Sequence, residues 1–595
     1  MDPDASSGNR MPIPVGSYRV ASPILRPGPL VTRPGFFPKL QSYIAPIRDR
    51  TEQILDLHQL TDEDTEVAVL NRQKYWAHDT GIATLLIIHR WKEDSHKTWP
   101  PAVREIVDFV DEYLVECDET LQIDMTAPQR VIQKHLTPAP SLPGLDWPEL
   151  RSTIHQKLDT YEATRSHVTA IGIFRLGFYP DPHLNPTTVY ISLEDDSDET
   201  QWIAVSRNLK SYIHSQGWDF VVHMEHNVVS RCAFQLNLPT GGSLTNLAEA
   251  LKSNLIGRGE YEYRVNLGAS IGAAHYPSAD GELISPDAGT LGCYIEIRIK
   301  GSSEWKKCGL TNYHITRSWE TDYTMSSKVR CYPVTLESPA RIKHNYTIWD
   351  LNDRIRANRE GEPGWREEEF RHGAIKAAKL ERDRAAKLAF FDHKKNDCGS
   401  VLLASGFDRA TPEGGRLDWA VIEVDSPRIG ENRLPTEEAW KAKYGGWDTP
   451  YAKTFGGLLQ QPPGSFKDKT MAPGASVWKV GPTSGPTTGT FNEYKVECTI
   501  KDDVHAAGIP RSYFEEFITV DNDRSGQGQS GRFCGPGDPG SVVFDARGQA
   551  IGLLFGGQVP SQTAGYGLVT PIEDVFEDIK ASSKGRVEDI RIASS

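Results

Sequence analysis

The segment richest in chemical potential is Cys534-Gly-Pro-Gly-Asp-Pro-Gly-Ser-Val-Val-Phe-Asp545, which runs into Gly548-Gln-Ala-Ile-Gly-Leu-Leu-Phe-Gly-Gly557. A glycine-rich tight turn feeding an apolar strand, then a second turn and a second apolar strand, reads as a hairpin that holds its first loop rigidly against a barrel. Upstream, His314 closes the segment Leu310-Thr-Asn-Tyr-His-Ile315, and Asp418 opens Leu417-Asp-Trp-Ala-Val-Ile422. Imidazole, carboxylate and serine are the side chains of nucleophilic acyl transfer. A serine hydroxyl attacks once an imidazole within hydrogen-bond reach takes its proton, and a buried carboxylate fixes that imidazole's tautomer. Two backbone N–H groups then stabilise the oxyanion. Each residue also has a plainer reading: His314 as a surface or core histidine, Asp418 as a turn carboxylate, Asp538 as a member of a salt bridge or hydrogen bond.

In chain order these segments resemble a known family. Leu310–Ile315 is similar to the Leu-Thr-Ala-Ala-His segment that carries the general base of chymotrypsin-like (trypsin-like) serine proteases. Leu417–Ile422 is similar to their Asp-Ile-Ala-Leu-Leu segment, and Gly537-Asp-Pro-Gly-Ser541 to their Gly-Asp-Ser-Gly-Gly/Ser loop. The order His, Asp, nucleophile is that of this family and not of subtilisins or α/β-hydrolases. The resemblance spans roughly residues 265–582 and implies a double β-barrel with His314 as base and Asp418 as its orienter. It makes the Gly537 N–H one oxyanion donor and puts Phe533, Gly556 and Gly557 at the specificity pocket.

The same resemblance puts Pro539 in the nucleophile slot, where it removes both a hydroxyl and an N–H. Losing one oxyanion donor costs roughly 3 kcal/mol, and losing the nucleophile costs several orders of magnitude in rate. Ser541 remains as an offset nucleophile at the start of the outgoing strand, and Ser530 in Gly528-Gln-Ser-Gly531 is a local mimic farther off. Phe533 at the pocket base fills the pocket or leaves it apolar. Ile315, not cysteine, follows His314, so the disulfide that staples this loop in secreted members is missing.

The elements that must position these residues are β-strands. Gly289–Ile299, Trp305–Ile315, Gly399–Ser405, Leu417–Val424, Ala475–Gly481, Thr490–Cys498, Phe517–Val520 and Gly565–Thr570 carry strand patterns separated by turn residues. Ile295, Ile297 and Ile299 alternate with Tyr294, Glu296 and Arg298, one face for a core and one for water. Pro571–Lys580 has apolar residues at Ile572, Val575, Phe576 and Ile579 and reads as a closing amphipathic helix. Within this region, 354–395 is rich in Lys, Arg, Glu and Ala at helical spacing, which predicts a charged helical insertion, either solvated or docking a partner.

Before the barrels, residues 1–40 carry eight prolines and are expected to be a disordered arm. The three-to-four spacing of apolar residues over 41–136 predicts a helical region. A linker follows at Thr137–Gly144, and 149–240 alternates helix and strand patterns as a small α/β (α+β) domain. A short helix is expected near Leu244–Leu255. The acidic run Glu194–Glu199 reads as a solvated loop at a helix start in preference to a cation site.

At 595 residues the chain needs several cores, and 38% apolar with 25% charged residues fits a globular multidomain protein. A net charge of −14 argues against nucleic acid or an anionic membrane as partner. Eight cysteines without a CxxC pair indicate neither zinc nor a disulfide scaffold, and a reducing compartment fits best. No signal pattern opens the chain, and Ile82–Ile88 is too short an apolar run to span a bilayer, so an intracellular, cytoplasmic location is expected. No cofactor or metal is expected. The reading is a protease-fold protein with impaired catalysis that binds a peptide or protein. The alternatives are an active intracellular serine endopeptidase using a displaced serine, and a scaffold acting through the N-terminal half or the 354–395 insertion.

Overall fold

The computed structural model describes residues 13–28, 30–74, 81–131, 134–230, 261–274, 276–277, 283–284, 287–316, 334–361, 366–406, 409–444, 456–461, 471–500, 514–521, 533–558 and 565–594. These fall into two units, one within Met1–Val228 and the other within Val229–Val559 and Gly565–Ser595. Ser530 and the helix expected near Leu244–Leu255 lie outside the described residues.

In the first unit, helix Ile44–Leu57 precedes strands Glu66–Lys74 and Ile82–Ile88, which pair antiparallel. Helix Ser95–Tyr113 then crosses to Gln122–Thr126, which runs parallel to Ile82–Ile88. The order recurs downstream. Helix Trp147–Leu158, antiparallel strands Val168–Gly177 and Thr187–Leu193, helix Trp202–Ser215 and strand Val221–His226, parallel to Thr187–Leu193, repeat it element for element.

Two expectations change here. The purely helical reading of 41–136 gives way to an α/β layer, because Ile82–Ile88 is a central strand buried on both faces and so carries no alternation to betray it. The arm expected to be disordered contributes strands over its described part: Arg19–Ser22 pairs with Gln122–Thr126, and Leu30–Arg33 with Glu66–Lys74. Buried ion pairing orders it where apolar periodicity does not. Arg19 Nη2 and Nε donate to Glu199 at 2.7 and 3.2 Å, and Arg130 Nη2 donates to the same carboxylate at 2.6 Å.

The second unit is built from two runs of six strands. The first run is β1 (Ser270–Ala273), β2 (Cys293–Ile299), β3 (Trp305–Thr311), β4 (Thr335–Glu337), β5 (Asp397–Ala404) and β6 (Ala420–Val424). The second is β7 (Ser476–Gly481), β8 (Gly485–Cys498), β9 (Phe514–Asp521), β10 (Val542–Phe544), β11 (Ala550–Gln558) and β12 (Tyr566–Pro571). Neighbouring strands follow the order β1-β4-β5-β6-β3-β2 in one sheet and β7-β10-β11-β12-β9-β8 in the other, the same path twice. In the second sheet β8 also pairs β7, so the ladder returns to its starting strand. A cluster shared by both runs, including Ile295, Leu310, Trp419 and Val421 with Trp478, Val542 and Leu553, packs under helix Ile572–Ser582.

That helix matches the closing helix read from the sequence. Beyond it, Val587–Ile592 adds antiparallel to the outer edge of β2, an element not anticipated. The insertion is a pair of helices, Arg341–Glu360 and Glu367–Asp392, between β4 and β5, and it begins earlier than residue 354. Gly361, at φ +70°, ends the first helix.

Candidate functional site

Strand β3 delivers His314 onto a single helical turn, Tyr313–Thr316, and not onto the strand end itself. Asp418 lies just before β6, which pairs with β3, so the ladder brings two residues distant in sequence side by side. His314 Nδ1 is 2.6 Å from Asp418 Oδ2, and the His314 backbone N–H donates to Asp418 Oδ1 at 3.1 Å. Asn312 Nδ2 adds a bond of 2.6 Å to the Asp418 carbonyl. With Nδ1–H donating to the carboxylate, Nε2 is the nitrogen left to accept a proton. It is buried and has no hydrogen-bond partner among the described residues.

The aspartate is itself held from behind. The Trp419 N–H donates to Ser405 Oγ at 3.0 Å and its Nε1–H to Asp578 Oδ2 of the closing helix at 2.9 Å, with the indole fully buried. A buried tryptophan pinned through both its backbone N–H and its ring N–H fixes the backbone that carries its neighbour Asp418.

The glycine loop is clamped from the first run of strands. Thr290 N–H donates to the Pro539 carbonyl at 2.8 Å, and Thr290 Oγ1 lies 3.0 Å from the carbonyls of both Gly537 and Asp538. Thr311 Oγ1 closes the set by donating to the Thr290 carbonyl at 2.6 Å. Gly540 has φ +94°, and a Cβ there would sit 2.2 Å from the Thr290 carbonyl oxygen, 2.6 Å from Thr311 Oγ1 and 3.2 Å from Ile315 Cδ1. The loop therefore lies against Thr311, at the end of β3, and Ile315, within the His314 turn. Glycine is required at 540 by both its φ and the space.

Asp538 is the loop's internal anchor. Its carboxylate accepts from Lys479 Nζ at 2.7 Å, Ser484 Oγ at 2.6 Å, Ser484 N–H at 3.2 Å and Gly535 N–H at 2.9 Å, and neither the lysine nor the aspartate side chain is exposed. Burial pushes the carboxyl up, but the Lys479 ammonium and the hydrogen bonds outweigh it and hold the group below the usual carboxylate range. Lys479, Ser484, Thr290 and Thr311 were missed as site residues. For Lys479 a signal existed: a lysine inside the apolar strand Val477-Trp-Lys-Val480 demands a buried anion.

The remaining candidates fall as follows. Ser541 is fully buried, and its hydroxyl donates to the Asp538 carbonyl at 2.6 Å, not to an imidazole. Pro539 and Gly537 are buried, and Gly537 has φ +93°. Phe533 is fully buried beside Val477, Val543 and Leu554, with its carbonyl accepting from Thr487 Oγ1 at 2.9 Å. Gly556 and Gly557 lie in β11, where a Cβ on Gly557 would meet the Tyr566 carbonyl at 2.3 Å.

In the first unit His167, Glu194 and Asp196 bring one possible metal-ligand atom each within 4.8 Å. His167 Nδ1 bonds Asp196 Oδ1 at 2.9 Å there, in an open loop. Six cysteines, Cys117, Cys293, Cys308, Cys398, Cys498 and Cys534, are free. Among the described residues no helix is long and apolar enough to cross a membrane.

No family model matches the chain, and no curated protein matches it. Among solved structures, a glutamic acid-specific serine protease that uses a novel histidine triad in substrate binding aligns with 55% of this chain and 100% of its own, at 11% identity and a TM-score of 0.26.

Proposed function

We propose that residues 265–582 form a trypsin-like double β-barrel without working acyl-transfer chemistry, a pseudoprotease that binds a peptide or protein ligand. One observation carries the reading: a buried, hydrogen-bonded His314–Asp418 pair whose adjoining glycine loop holds Pro539. The twice-used strand order supports the fold, since two runs of six strands traced along one path are what a duplicated barrel requires.

The chemistry follows from the side chains. The imidazole is oriented as a general base, Nδ1 toward carboxylate and Nε2 open. Proline offers it no proton to take and no N–H to an oxyanion, which leaves Gly537 as the sole remaining donor of the usual two. The rival reading, an endopeptidase using Ser541, must first break the bond that the Ser541 hydroxyl gives to the Asp538 carbonyl. It is the weaker of the two.

A fluorophosphonate probe tests the reading on the full chain. The wild-type protein is expected to stay unlabelled and Pro539→Ser to become labelled at residue 539. Anisotropy with fluorescein-labelled casein is expected to report binding without turnover. Wild-type labelling that disappears in Ser541→Ala would sink the proposal in favour of the displaced serine. Pro539→Ser that folds but stays unreactive would remove the dormant-triad premise.

A further inference from the structure

One edge of β11 is taken by the chain itself. A strand has two hydrogen-bonding sides, and β12 fills one side of β11 from Gly552 to Gln558. On the other side β10 pairs as far as Leu553, and the glycine loop continues from there. Gly540 N–H donates to the Leu554 carbonyl at 2.8 Å, and Leu554 N–H to the Ser541 carbonyl at 2.9 Å. Phe555 and Gly556 then separate the loop from a short strand, Val229–Ser230, which runs antiparallel to β11 with Val229 opposite Gln558 and Ser230 opposite Gly557. Val229 is bridged on its other side to Ile500, in parallel, and is fully buried. An extended segment of the chain thus lies in a slot of the second unit, on the same edge that the Pro539 loop begins.

We infer that Val229–Ser230 is a built-in inhibitory strand, occupying the slot in which an extended segment of a partner protein pairs with Phe555–Gln558. What the slot holds now defines the chemistry of that segment. Main chain lines it on both sides, so the ligand is an extended peptide recognised through its own backbone N–H and C=O groups, free of proline, with a β-branched apolar residue in the buried place of Val229. The chain's own strand uses Gly557 and Gln558, whereas a partner segment can add Phe555 and Gly556 to the ladder. Binding is then a competition: freeing the inner strand raises the apparent affinity for the partner, and fixing it lowers that affinity. This role deepens the pseudoprotease reading and rests on it, because the slot continues the edge held by the loop that carries Pro539.

The test is fluorescence anisotropy of the full chain with a labelled decapeptide of alternating valine and threonine closed by lysines, and with the same peptide N-methylated at alternate residues, which removes main-chain donors. Ser230→Pro places a proline in the ladder and is expected to bind the plain peptide about tenfold more tightly than wild type. Val229→Cys/Gln558→Cys joins two side chains that stand directly opposite each other; oxidised, it is expected to bind about tenfold more weakly or worse, and reduction should restore the wild-type value. Wild type should be unchanged by the same treatment. The N-methylated peptide should bind wild type and Ser230→Pro about tenfold more weakly than the plain one. Equal affinity of the oxidised and reduced double variant, equal affinity of the two peptides, or a plain peptide that binds none of the proteins would each overturn the proposal. If Ser230→Pro does not fold, the double variant decides alone. Fluorophosphonate labelling of Pro539→Ser reads the His314 site with no peptide present, so failure of the slot and failure of the pseudoprotease reading are told apart.

Discussion

The ammonium of Lys479 lies 2.7 Å from the carboxylate of Asp538, and neither side chain has any exposed surface. One buried pair therefore ties strand β7 to the loop that precedes β10, and the loop's geometry is set from within the second run of strands. Thr290 grips the same loop from the first run, so its carbonyls are held from two directions.

Removing the lysine alone should be costly. Lys479→Met strands a buried carboxylate and is expected to lower unfolding stability by about 3–5 kcal/mol. Adding Asp538→Asn should recover much of that loss, because the uncompensated charge is gone. Urea unfolding followed through the neighbouring Trp478 reads both. A single variant as stable as wild type would show that the pair does not hold the loop.

Gly540 and Gly585 make a matched pair of tests. Both have positive φ, +94° and +76°, but a Cβ on Gly585 meets nothing within 4 Å, while one on Gly540 runs into the Thr290 carbonyl. Gly585→Ala should cost about 1 kcal/mol, the backbone term alone. Gly540→Ala should cost clearly more and should lower the melting temperature further. Equal shifts in calorimetry would mean that the loop yields freely.

Orientation of the imidazole is testable only where a nucleophile exists. In a Pro539→Ser background, Asp418→Asn should slow fluorophosphonate labelling by roughly 10⁴-fold while leaving the fold intact by circular dichroism. Unchanged labelling would mean that the 2.6 Å contact to His314 does not set the tautomer.

Acid should unfold the first unit by way of Glu199. Burial raises this carboxyl, but Arg130 and Arg19 more than offset that and bring it from 4.5 to about 2. A depressed folded value means that the stabilisation is full above about pH 4.5 and is lost as pH falls toward 2. The difference amounts to about 3 kcal/mol. Tryptophan fluorescence of wild type should show an acid slope in that window, and Glu199→Gln should flatten the slope while lowering stability at neutral pH. A slope that survives the substitution would assign it to other groups.

Most strands of the second unit and its closing helix are legible in the chain because their signals are local: alternation in β2, glycine turns around β10 and β11, and helical spacing from Ile572 to Ile579. His314, Asp418 and Pro539 are legible as candidates for the same reason, by residue type and by order along the chain. Local pattern misleads where burial is two-sided or where polar groups do the ordering. Ile82–Ile88 lost its alternation to burial on both faces, and Arg19 is held by a carboxylate far along the chain. What the sequence determined alone is the chemistry available, above all that position 539 has neither hydroxyl nor N–H. Which groups meet is a tertiary matter. Pairing of β3 with β6 sets Asp418 on the imidazole, and the fold of β7 and β8 against the loop finds Lys479 and Ser484 for Asp538. Those distances depend on strand register between segments far apart in sequence, which no local pattern encodes.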